Sequence, residues 1–152
     1  MWDMREAIAR YNNYAGVNCI AGMVYEKEKA MCHPYPTLLD KIQRYGYDNK
    51  QLHHIIRCEE FLRRWVEGTP YADCLIPTDP EYLISVKSDY IYSLEEAKAL
   101  AKELVERTKK VKEEYMLTHE CVVHDTIGEY MNQVLAQIIK KSFREELKNE
   151  CC

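Results

Sequence analysis

Glycine and proline are scarce, five of each in 152 residues, too few for the closely spaced turns of a β-sandwich or barrel. No apolar run approaches the roughly 20 residues of a membrane-spanning helix. The opening Met1-Trp2-Asp3-Met4-Arg5-Glu6 lacks the features of a secretion signal. The expectation is a cytoplasmic protein with no membrane partner. An excess of positive charge is also missing: the net charge is −4, which argues against indiscriminate nucleic-acid binding but leaves room for a local basic groove. Seven cysteines are present, an odd number, scattered and without a Cys-x-x-Cys. They read as reduced thiols, several of them small core residues, with Cys151-Cys152 as an exposed tail.

Chemical constellations are thin. There is no Gly-rich phosphate loop and no arrangement that reads as Ser-His-Asp or Cys-His. His119, Cys121 and His124, even with Cys32 and His33, match no common zinc spacing. His53 and His54 are neighbours on a helix and point apart. No metal and no cofactor is expected.

What is present is helical periodicity. Hydrophobic residues make up 47% and charged residues 30%, an ordinary balance for a one-domain globular chain of this length. Met4, Ile8, Tyr11, Ala15, Cys19 and Met23 predict a long first helix from Asp3 to about Tyr25. Its internal Gly16 and Gly22 suggest close approach by another helix. Glu26 to Lys29 and His33-Pro34 read as a connection, followed by a short helix opened by Pro36. Gly46 ends that helix, and Asp48, with Gln51 as a capping box, starts a helix running to about Glu67. Its apolar face carries Leu52, Ile55, Ile56 and Leu62, with Phe61 and Trp65 beside it. Tyr71 to Pro77 reads as a short extended piece. Asp79-Pro80-Glu81 and the capping box Ser93-x-x-Glu96 open two further helices, the second with Ala97, Leu100, Ala101, Leu104, Thr108, Val111 and Tyr115 on one face. A last helix from about Thr126 to Leu147 turns Ile127, Met131, Val134, Leu135, Ile138 and Leu147 inward, with Ile139 and Phe143 alongside. The sum is an all-α chain, residues 1–150 forming a single compact bundle of five to six helices with at most one short extended segment.

Lys50, His54 and Arg57 fall at i, i+4 and i+7, a cationic stripe that Arg64 continues. By spacing alone it reads as a solvated face or as a contact surface for anions. The 12 tyrosines are half-buried packing groups or, among them Tyr47 and Tyr92, platforms that stack bases.

Tyr45-Gly46-Tyr47-Asp48-x-Lys50-x-x-x-His54-x-x-Arg57 resembles a signature of the predicted nucleotidyltransferases of the DNA polymerase β superfamily in phages and bacteria, the RNA-repair-pathway type. A Tyr-x-x-Tyr-Ala element before it (Tyr11 to Ala15) and a Gly and proline-flanked piece after it (Gly68 to Pro77) fall in the family's order. So do Leu83-x-x-x-Lys87 and Tyr92-Ser-x-Glu-Glu-Ala97. The resemblance covers the family's C-terminal helical part only. The catalytic palm, with its Gly-Ser turn and Mg²⁺-holding acidic residues, has no counterpart here: the sequence contains neither Gly-Ser nor Asp-x-Asp. The resemblance implies a nucleotide- or RNA-binding helical domain that does not catalyse transfer alone and works with a separate palm domain or another protein. Lys50, His54 and Arg57 would contact phosphates, Lys87 would assist, and Tyr47 or Tyr92 would stack. The competing expectation is a phage-encoded, non-enzymatic protein that binds a partner protein or sequesters a nucleotide.

Overall fold

A computed structural model describes the backbone of residues 4–150 and the side chains of residues 4–144. All regular structure within it is helical: α1 (Arg5–Ala9), α2 (Asn13–Met31), a 3₁₀ turn at Pro36–Leu38, α3 (Leu39–Tyr45), α4 (Asn49–Val66), α5 (Tyr71–Cys74), α6 (Pro80–Ser88), α7 (Leu94–Thr118) and α8 (Asp125–Glu150). The all-α class is as the periodicity requires. The helix count exceeds five to six because two short helices, α1 and α5, stand where a longer helix and an extended piece were expected.

Each difference has a local cause. The first helix is interrupted after Ala9: the Tyr11 N–H turns back to the Ile8 carbonyl at 3.3 Å, the Tyr11 carbonyl accepts from the His124 N–H at 3.2 Å, and Asn12-Asn13 favours a restart over continuation. The restarted α2 then runs through Glu26 to Lys29 rather than ending before it, since Glu and Lys are good helix formers. Tyr71 to Cys74 is a helical turn, not extended: the Pro70 carbonyl accepts from both Asp73 and Cys74, at 3.0 Å each.

The chain divides into two compact units, Tyr14–Glu120 on one side and the residues before 14 and after 120 on the other. In the larger unit α4 is the axis, packed against α6 and α7. Leu52, Ile55, Leu62 and Trp65 of α4 are buried, as are Val17, Ala21 and Val24 of α2, Leu83 and Val86 of α6, and Ala97, Ala101 and Leu104 of α7. The two alanines present no bulk where α7 meets that core. Gly16 and Gly22 do not serve close packing: a Cβ added at either would meet nothing within 4 Å.

In the smaller unit α1 lies against α8. A five-residue helix spans about 8 Å against the roughly 39 Å of α8. α1 is therefore too short to cover the expected inward face of α8, along which Met131, Leu135, Ile138, Ile139 and Phe143 are exposed and Ile127 and Val134 are half-buried. Leu147 and the Cys151-Cys152 tail lie outside the described side chains.

The segment Tyr45 to Lys50 ties the larger unit together. Gly46 closes α3 with φ at +81°, a left-handed conformation that costs glycine little. Tyr47 is buried, and its hydroxyl donates to the Tyr92 carbonyl at 2.9 Å. Asp48 caps α4 by accepting from the Lys50 N–H at 3.2 Å, while its own N–H donates to the Met31 carbonyl at 2.8 Å. Gln51 consequently meets the Asp48 side chain, 3.3 Å away, rather than closing a reciprocal capping box on its backbone. Asn49 donates to the Lys87 carbonyl. Three connections of the fold are thus pinned by consecutive residues.

Candidate anion-binding site

The bond from Asp48 to Met31 sets the C-terminal end of α2 beside the start of α4, and Ile20 and Met23, earlier on α2, line one groove with Cys58 and Phe61, later on α4, so the two helices run in opposite directions. One turn into each, the charge of Lys27 of α2 is close enough to His54 of α4 to bear on its proton. Lys50 lies on the same face of α4, and Lys87 arrives from the last turn of α6, where Asn49 holds its carbonyl. Three helices thus bring three lysines around one imidazole. Burial first, then the fields of Lys27, Lys50 and Lys87, hold His54 below its ordinary 6.5, and Asp48 only partly opposes them. Burial, His54, Lys87 and Arg57 lower His53 in the same way.

The acidic side of the ledger is short. Asp48 is 1% exposed and committed to its cap, with Lys41 Nζ 3.8 Å away. Glu26 reaches Lys27 at 3.2 Å as an exposed pair between adjacent residues, a contact that water and salt weaken. Lys50 and Lys87 are exposed. The site is therefore a positive field with half-buried histidines at its base, suited to phosphate oxygens.

Of the residues expected from sequence, Lys50, His54 and Lys87 come together. Arg57 does not present its charge outward: its Nη2 donates to the Cys74 carbonyl at 2.6 Å, Glu60 lies 3.9 Å away, and its carbon centre sits 5.9 Å from the Phe61 ring. Arg64 is likewise drawn to Glu60 at 3.3 Å and to the Ile76 carbonyl at 2.6 Å. Glu60 also takes the Thr78 N–H and hydroxyl, at 2.8 and 2.6 Å, so the two arginines and one carboxylate anchor the segment after α5. Tyr47 offers no face for a base, being 1% exposed and edge-on to Tyr90. Tyr92 is half-buried with its hydroxyl 2.8 Å from that of Tyr82.

Lys27 was missed because its charged neighbours read as a loop. Read as helix, Ile20, Met23 and Lys27 share a face at i, i+3 and i+7, and that periodicity was its signal. Among the described residues no three His, Cys, Asp or Glu side chains converge on one point, and no helix is long and apolar enough to cross a membrane. Neither a family model, a curated protein nor a solved structure matches the chain.

Proposed function

We propose that this chain is a nucleotide- or RNA-binding helical domain, related to the C-terminal region of polymerase-β-like nucleotidyltransferases, that supplies phosphate contacts to a catalytic palm carried by another polypeptide or segment. The observation that supports the reading is the convergence of Lys27, Lys50 and Lys87 on His54 from three helices. Their mutual repulsion is a cost to the fold that a bound polyanion relieves. Lys50 and Lys87 hold phosphate oxygens as point charges, Lys27 closes the site from α2, and His54 adds a donor that gains a proton when an anion is bound. Arg57 and Tyr47 act through the scaffold.

The test is titration of the full chain, under reducing conditions, with nucleoside triphosphates and short single-stranded RNA. Lys50→Gln and Lys87→Gln should each weaken binding about ten- to 150-fold, the worth of one charge-assisted contact. Each should also flatten the dependence on salt. Unchanged affinity in both variants ends the proposal. A second reading, an interaction protein that binds another protein, draws on the exposed Leu135, Ile138 and Phe143 of α8. It forecasts no polyphosphate binding at all.

A further inference from the structure

Beside the lysines, the same two helices form the sides of an open apolar groove of about 250 Å³ lined by Ile20, Met23, Arg57, Cys58 and Phe61. Every one of these residues lies one or two turns from the cationic end. Met23 precedes Lys27 by four residues on α2, and Cys58 follows His54 by four on α4, a rise of about 6 Å in each case. The groove is thus charged at one end and apolar at the next turn.

We infer that this groove takes a single nucleoside polyphosphate, with the base lodged between α2 and α4 and the phosphates among Lys27, Lys50 and Lys87. The inference rests on the anion-binding reading above and specifies its ligand. The groove's volume lies just below the roughly 300–1,000 Å³ of pockets for drug-sized ligands, a size for one planar ring system rather than a chain of bases. Its walls suit such a ring. Phe61 is braced by Trp65, with ring centroids 5.5 Å apart and planes 24° from parallel, and by the edge of Tyr71 at 6.3 Å, so it is a fixed surface. Met23 is 45% exposed, an adaptable thioether on the opposite helix. Arg57 is fixed as well. Its Nη2 is held by the Cys74 carbonyl and Nη1 is buried beside Glu60, 3.9 Å away, so the guanidinium is a rigid wall of the groove rather than a donor to the base. The gap of about one helical turn between ring and lysines is spanned by a ribose. A strand of RNA would need further cations along its path, whereas the turn beyond the lysines is apolar.

The experiment compares a nucleoside triphosphate, inorganic tripolyphosphate and a short RNA by calorimetry on the full chain, alongside alkylation of Cys58 followed by mass spectrometry. The triphosphate should bind at least ten-fold tighter than tripolyphosphate and slow Cys58 alkylation several-fold, which tripolyphosphate should not. Met23→Trp, at an exposed position, should fill the groove and bring the triphosphate down to the affinity of tripolyphosphate, leaving the latter unchanged. Ile20→Trp provides the same test from the neighbouring turn. Equal binding of triphosphate and tripolyphosphate would overturn the inference while the anion site stands. Binding of RNA with no binding of the mononucleotide would also overturn it. Absence of binding by all three would remove the anion site together with it.

Discussion

At the scale of single residues, the glycines of this chain make opposite demands. Gly46 sits at φ +81°, and an added Cβ would come within 2.7 Å of Leu94 Cδ2. Gly46→Ala should therefore destabilise the fold by about 1–2 kcal/mol from the left-handed backbone alone. Gly16 and Gly22 are helical, with open space where a Cβ would stand. Alanine at either should stabilise by about 0.5–1 kcal/mol through helix propensity and unfolded-state entropy. Urea denaturation of the three variants checks the signs, and a destabilising Gly22→Ala would mean that α2 has a neighbour there in solution. The histidines give a pH signature. His54 and His53 are held below 6.5 in the folded chain, so on acidification the unfolded chain takes up protons first. Stability present above about pH 6.5 is lost as pH falls toward the folded values. Burial is the first cause, and the charges of Lys27 on α2, Lys50 on α4 and Lys87 on α6 add to it for His54, with Asp48 opposing. His54→Gln should lessen the loss between pH 7.5 and 5.5, and a chain with the same pH slope as wild type would show that His54 does not feel that field.

At the scale of elements, α4 carries both core and site, and its apolar face holds one exception. Glu59 is 4% exposed, and Arg107 of α7 reaches its carboxylate at 2.9 Å. Burial raises the Glu59 pKa, and Arg107 and Arg63 pull it back. Removing the guanidinium with Arg107→Met leaves that charge without its hydrogen-bonded partner, with only the field of Arg63 still opposing its burial. The expected cost at pH 7 is about 1–2 kcal/mol, below the value for a fully buried pair because Arg107 is 45% exposed. The cost should shrink as acid protonates Glu59, and melts at pH 7 and pH 5 separate this from a simple packing defect. Much of this scale was legible in the sequence. Asp79 accepts from the Tyr82 N–H at 2.9 Å, Ser93 and Glu96 form a complete capping box, and Gly46 is the left-handed cap of α3. These are local devices, and local residues specify them. Spacing along α4 does put Glu60 within reach of Arg57 and Arg64, but the carbonyls that hold Arg57, Arg64 and Tyr47 are 12 to 45 residues away in sequence, beyond what a local pattern can show. Lys50, His54 and Lys87 were legible, yet the field around them depends on Lys27, whose contribution appears only when α2 is laid beside α4.

At the scale of the whole molecule, charge and burial are unevenly placed. A chain of net charge −4 concentrates three lysines at one groove, a pattern that favours a defined small anion over non-specific attachment to nucleic acid. Every side chain that is buried among those described, from Val17 to Thr108, belongs to the Tyr14–Glu120 unit. The described part of α8 contributes none, although its sequence repeats apolar residues at Ile127, Met131, Leu135, Ile139 and Phe143. Helical periodicity identifies an apolar stripe but not what covers it, and an isolated helix draws little stability from propensity alone. Two consequences should be measurable on the same protein. Leu52→Ala, which removes a fully buried side chain of α4, should cost about 2–5 kcal/mol. Leu135→Asp, at a position 55% exposed, should change global stability by less than about 0.5 kcal/mol. Native-state hydrogen exchange should agree: amides of α4 and α7 open only with the whole larger unit, whereas those in the second half of α8 exchange with far smaller protection. If α8 amides proved as protected as those of α4, and Leu135→Asp were as damaging as Leu52→Ala, the apolar face of α8 would be covered in solution.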